Sequence, residues 1–141
     1  MNVRKLCVLV VSLCMAAPLA AEEKAMDKSI DLVSGPPEQC VNLSSIDHTS
    51  VVDDRNILFY MHGGKIYRNH LPYKCTGLKI NKTFMYRTSL HQLCNVDIIT
   101  VLDNLGFGYS PANSCGLGLF YPVTKDDVAK LKERVKAKKG N

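Results

Sequence analysis

The sequence predicts a mainly β protein: a small antiparallel sheet or barrel-like domain, stapled by disulfides and followed by a C-terminal helix. Three observations predict it. Short β-branched and aromatic runs are separated by glycine and proline, an even set of cysteines follows an export signal, and the tail combines helix caps with apolar residues at helical spacing.

The first element is the export signal. Arg4 and Lys5 form a positive n-region, residues 6–17 are almost purely apolar, and small residues follow. The run is shorter than the ~20 apolar residues of a spanning helix and has no charged stop-transfer flank. A cleavable signal peptide over residues 1–21 is therefore expected, with Leu19 and Ala21 at the recognition positions and Glu22 opening the mature chain. Cys14 does not read as a lipidation site, because Leu13 stands where a small residue is wanted. No transmembrane anchor is expected after cleavage, and the expected compartment is the periplasm or the exterior.

Removing 21 of 141 residues leaves 120, a length for one domain with a modest core. Loss of Arg4 and Lys5 lowers the formal charge of +5 by two. What remains is concentrated in residues 124–141, where seven Lys or Arg face Asp126, Asp127 and Glu133. The expected domains are a signal peptide (1–21), a polar linker (22–39), a β-rich domain (40–123) and a basic C-terminal helix and tail (124–141).

Cys40, Cys75, Cys94 and Cys115 survive processing, and an even count in an exported chain reads as a disulfide framework. None of them forms a Cys-x-x-Cys pair, so redox, haem-attachment and zinc-knuckle readings lack their motifs. Three pairings are open. The preferred one is Cys75–Cys94 with Cys40–Cys115, the first local and the second joining the ends of the domain.

Ser34-Gly35-Pro36-Pro37 cannot continue a helix and closes the linker. Residues 55–62 and 65–70 read as two strands joined at Gly63-Gly64, since primed two-residue turns need the positive φ that glycine reaches without a Cβ clash. With those glycines as the whole turn, His62 faces Lys65, Met61 faces Ile66, Tyr60 faces Tyr67 and Phe59 faces Arg68. Pro72 breaks the return strand, and a further strand is expected near residues 83–88. Residues 95–102 are apolar on both faces and read as the central, doubly covered strand, interrupted by Asp97. Residues 103–114 read as loop and 115–121 as a last strand. In the tail Thr124 caps a helix whose first turn holds Asp126 and Asp127, and Val128, Leu131 and Val135 form a stripe expected to dock on the domain.

Val52-Asp53-Asp54-Arg55, Gly64-Lys65-Ile66-Tyr67-Arg68-Asn69-His70-Leu71-Pro72, Leu93-Cys94-Asn95-Val96-Asp97-Ile98-Ile99-Thr100-Val101-Leu102 and Cys115-Gly116-Leu117-Gly118 resemble a family of small exported bacterial proteins of unknown function with four cysteines. The resemblance covers most of the mature domain. It implies an envelope or secreted setting and supplies no catalytic residue.

Material for a small envelope hydrolase exists in Asp53, Asp54 and Asp97 with His48, His62, His70 and His91, because a carboxylate that orients a histidine makes a base. No spacing selects among them, and aspartates beside a strand start commonly bond the local backbone. Gly106-x-Gly108 and Gly116-x-Gly118 do not complete a phosphate loop, and Ser89 and Ser114 lack a nucleophile elbow. The favoured function is an exported, disulfide-stabilised binding or structural module. Tyr60, Tyr67, Tyr73, Tyr109 and Tyr121 would be its contact residues if exposed. An envelope protein or a glycan is the expected partner. No nucleic acid, metal or cofactor is expected. Asp97 is expected in a buried ion pair with Arg68 or Arg87, because an unpaired buried charge costs several kcal/mol.

Overall fold

The structure, a computed structural model, describes residues 32–138. The expected signal peptide, the first half of the expected linker and the last three residues lie outside the described residues.

A hairpin organises the fold. Strands β3 (Asn56–Met61) and β4 (Ile66–His70) pair antiparallel, but the register is one residue away from expectation: Tyr60 faces Ile66, Phe59 faces Tyr67 and Leu58 faces Arg68. The cause is the turn. Met61 N–H donates to Lys65 O at 2.9 Å and Gly64 N–H to Met61 O at 3.1 Å, so His62 joins Gly63 and Gly64 in a three-residue loop. Both glycines have φ near +89°, and a Cβ on either would meet open space, so backbone conformation rather than crowding requires glycine here.

The register assigns the faces. Ile57, Phe59, Met61 and Tyr67 point into one core, Leu58 and Ile66 into another. Strands β2 (Ile46–Asp53) and β9 (Phe120–Val123) complete a four-stranded antiparallel sheet in the order β2-β3-β4-β9. On one face helix α2 (Lys125–Ala137) buries Val128 and Leu131 against Leu32, Leu58, Ile66 and Val123. Burying each of those two side chains contributes about 1.5–3 kcal/mol. The expected docking of the tail helix is found for Val128 and Leu131, while Val135 is only half-buried, and the expected cap is found: Thr124 Oγ1 accepts Asp127 N–H while the Asp127 carboxylate accepts Thr124 N–H.

The other face carries the main core. A three-stranded sheet, β5 (Phe84–Tyr86), β7 (Ile98–Asn104) and β8 (Tyr109–Gly116) in the order β5-β7-β8, supplies Ile99 and Val101. Helix α1 (Leu78–Asn81) supplies Leu78, and the pair β1 (Cys40–Asn42) and β6 (Gln92–Cys94) supplies Val41 and Leu93. Phe59 and Phe120 meet edge to face at 5.3 Å.

Four expectations are corrected. The doubly covered strand is β3, buried at every position except the half-buried Tyr60; β7 buries only Ile99 and Val101, while Ile98 is 58% exposed. Helix α2 covers the far side of β3, whereas among the described residues the outer side of β7 leaves Ile98 exposed. Residues 103–114 are not loop, because β7 extends to Asn104 and β8 returns as a polar edge strand in which Pro111 is tolerated. The disulfides are Cys40–Cys94 and Cys75–Cys115. Pairing of β1 with β6 sets Cys40 directly opposite Cys94, so strand register rather than sequence proximity chose the partners. Finally, residues 32–39 are docked rather than linking: Glu38 exchanges two backbone hydrogen bonds with Phe120, and Ser34 donates to Pro122 O.

Candidate functional site

An open groove of about 480 Å³ lies where the β3–β4 turn approaches the start of β2 and the first turn of α2. Its lining includes Asp47, His48, Tyr60, His62, Lys65 and Lys125. The turn is held in place by His62 N–H, which donates to Ser45 O at 2.8 Å. Between Ile46 and His48 the β2–β3 register slips by one residue, and such a slip re-aims side chains. Asp47 and His48 therefore meet, although neighbours on a regular strand point to opposite faces.

One carboxylate serves two imidazoles. His48 Nδ1 lies 2.8 Å from Asp47 Oδ2, and His62 Nδ1 lies 3.9 Å from Asp47 Oδ1. The His48 ring stacks on Tyr60 at 4.3 Å, only 8° from parallel. All three polar side chains are more than half exposed, so these contacts form in water and each contributes little to stability. The arrangement offers a flat aromatic surface, an acceptor, and lysine and histidine donors around a shallow opening. No serine, threonine or cysteine lines the groove.

Most of the residues expected at a site serve the fold. Asp53 accepts Arg55 N–H at 2.7 Å and Asn56 Nδ2 at 2.9 Å, and Asp54 accepts Lys79 N–H at 2.9 Å at the start of α1. Asp97 does not form the expected ion pair. It sits before β7, half-buried, and accepts Cys94 N–H at 2.6 Å, closing the turn between β6 and β7. Arg87 is exposed, and the buried Arg68 donates through Nε to Asn56 Oδ1 at 2.8 Å, with Nη2 3.3 Å from His70 Nδ1. Arg68 thus belongs to an Asp53–Asn56–His70 network on the four-stranded sheet. His91 is exposed.

The tyrosines divide. Tyr67 is buried and donates to Glu38 at 2.6 Å; burial, then this bond and the Glu38 charge, push its phenol up to about 12. Tyr60 and Tyr121 are half-buried, whereas Tyr73 and Tyr109 are exposed. The residue that sequence reasoning missed is Asp47; its one signal was adjacency to His48.

Among the described residues no three His, Cys, Asp or Glu side chains are gathered to hold a metal ion, and no helix is long and apolar enough to cross a membrane. No family model, curated protein or solved structure matches this chain.

Proposed function

We propose that the chain is an exported, disulfide-stabilised binding module whose contact face is the groove around Asp47, His48 and Tyr60, and whose ligand is an envelope glycan bearing acidic groups. The observation that carries the reading is the near-parallel His48–Tyr60 stack, held at a groove rim instead of in the core. Sugar rings lie on such faces, while Lys65, Lys125 and the histidines suit acidic substituents. Export is inferred from the signal pattern of residues 1–21, and the two disulfides are compatible with it. A periplasmic or secreted location follows from this reading.

The second reading is a small hydrolase, favoured by the 2.8 Å Asp47–His48 contact, since a carboxylate that orients an imidazole makes a general base. It would have to activate water or a group on the substrate, because the groove lining offers no hydroxyl or thiol nucleophile beyond the Tyr60 phenol.

The test is titration of the mature protein against acidic and neutral glycans, with product analysis on each. Acidic glycans should bind and stay intact, and His48→Ala should weaken binding at least about tenfold. Binding that His48→Ala leaves unchanged would remove the groove from the reading. Cleavage lost in Asp47→Asn would replace binding by hydrolysis.

A further inference from the structure

We infer that the β7–β8 hairpin tip, α1 and the C-terminal half of α2 form a face that seats on the surface of an anionic phospholipid bilayer. The inference begins at the tip. Leu105, Phe107 and Tyr109 are exposed, Phe107 completely, at the end of a hairpin whose turn is shaped by Gly106 at φ +84° and Gly108 at φ +122°. Backbone geometry, with Gly106 N–H donating to Asn104 Oδ1 at 3.1 Å, presents these side chains to water; among the described residues nothing packs over Phe107. Three adjacent apolar groups held outward in this way are an exposed patch with a use. Residues 104–124 contain no charged side chain, so seating the tip at a headgroup boundary would dehydrate none.

The second observation is independent and electrostatic. Lys79, Lys132 and Lys136 rim a pocket of about 310 Å³ whose floor is Val51, Val52 and Val135, and no acidic residue lines it. Lys79 belongs to α1, which is tied to the hairpin root. Asn81 donates to the Asp103 carboxylate, and Leu102 N–H donates to Thr83 O at 2.9 Å. Beside Lys79, α1 also carries Ile80, 85% exposed, and is followed by the exposed Lys82. Between Asp54 and Asp97 the sequence has no acidic residue at all. Of the carboxylates beside this face, Asp54 is engaged with Lys79 N–H and Lys74 and Asp103 with Asn81, and Glu133 on α2 is exposed but does not line the pocket.

Lysines over an apolar floor, continuing through α1 to an uncharged apolar tip, match a bilayer surface in kind. The ammonium groups meet headgroup phosphates, and leucine and aromatic rings settle at the acyl boundary. So few apolar side chains give a weak, reversible attachment, which the lysines make dependent on anionic lipid.

The chain has no tryptophan, so Phe107→Trp installs a single reporter. Mixed with phosphatidylglycerol–phosphatidylcholine vesicles, its emission should shift to the blue and be quenched by brominated acyl chains, whereas phosphatidylcholine alone should give a much smaller response. In the same background Lys132→Glu with Lys136→Glu should weaken vesicle affinity at least about tenfold. Leu105→Ser with Tyr109→Ser should abolish the shift. These changes touch exposed side chains, and far-ultraviolet dichroism confirms folding in each. His48→Ala should leave the vesicle response unchanged, which separates this face from the glycan groove. The inference is overturned by water-like emission with both vesicle types, by binding indifferent to the lysine reversal, or by a blue shift that appears without lipid and grows with protein concentration.

Discussion

Asn69 and Gly118 bond to each other as two paired strand residues would, although one partner is a side chain. The fully buried Asn69 carboxamide donates to Gly118 O at 2.6 Å and accepts Gly118 N–H at 2.9 Å. This joins β4 to the segment that crosses from β8 to β9. A Cβ on residue 118 would fall 1.9 Å from His70 O, so the backbones touch there. Gly118→Ala should lower stability by more than about 4 kcal/mol, and Asn69→Ala by about 3 kcal/mol through two orphaned backbone groups. Urea denaturation checks both, and an unchanged midpoint for Gly118→Ala would refute the close approach.

The bridges Cys40–Cys94 and Cys75–Cys115 interleave in sequence, closing separations of 54 and 40 residues. Chain entropy alone assigns each about 4 kcal/mol. Non-reducing peptide mapping should recover these two cross-links, with no thiol labelled under denaturing conditions, and reduction should loosen or unfold the domain. Recovery of Cys75–Cys94 would contradict the strand pairing of β1 with β6.

Arg68 and Asp97 should respond very differently to substitution. Arg68→Met removes a buried donor from the network that holds Asn56 and His70, and breaking such a buried hydrogen-bond network should cost about 3 kcal/mol. Asp97→Ala removes a half-buried acceptor of one backbone N–H and should cost about 1–2 kcal/mol. Equal losses, read as shifts in urea midpoint, would contradict the contrast between a buried network member and a half-buried turn acceptor.

Tyr67 makes stability fall at high pH. Its folded pKa, about 12, lies above the ordinary value of 10.0, so the folded state keeps the phenol proton that the unfolded chain releases. The contribution is fully present below pH 10 and is lost as pH rises through about 12. Ultraviolet titration should show a phenol ionising well above the ordinary value of 10.0 that Tyr67→Phe removes, and the same change should flatten the loss of stability in that window. A slope unchanged in Tyr67→Phe would assign the alkaline loss to other groups.

Local physics made several elements legible in the chain. Residues 55–62, 65–70 and 83–88 contain β3, β4 and β5 because their β-branched and aromatic content suits pleated, covered backbone, and the tail announced α2 through Thr124, Asp127 and the Val128–Leu131 spacing. An even cysteine set announced bridges without naming partners. What sequence could not carry were choices between equivalent local options. Residues 95–102 read as the central strand from their apolar content, yet the placing of α2 against Leu58 and Ile66 gave that position to residues 55–62. Whether His62 belonged to strand or turn moved every cross-strand partner by one, and a register slip at Asp47 turned two sequence neighbours into a contact pair. Composition and periodicity specify which side chains want burial or a turn; strand register and the docking of distant segments decide which of them meet, because those depend on free energies summed over the whole packed chain.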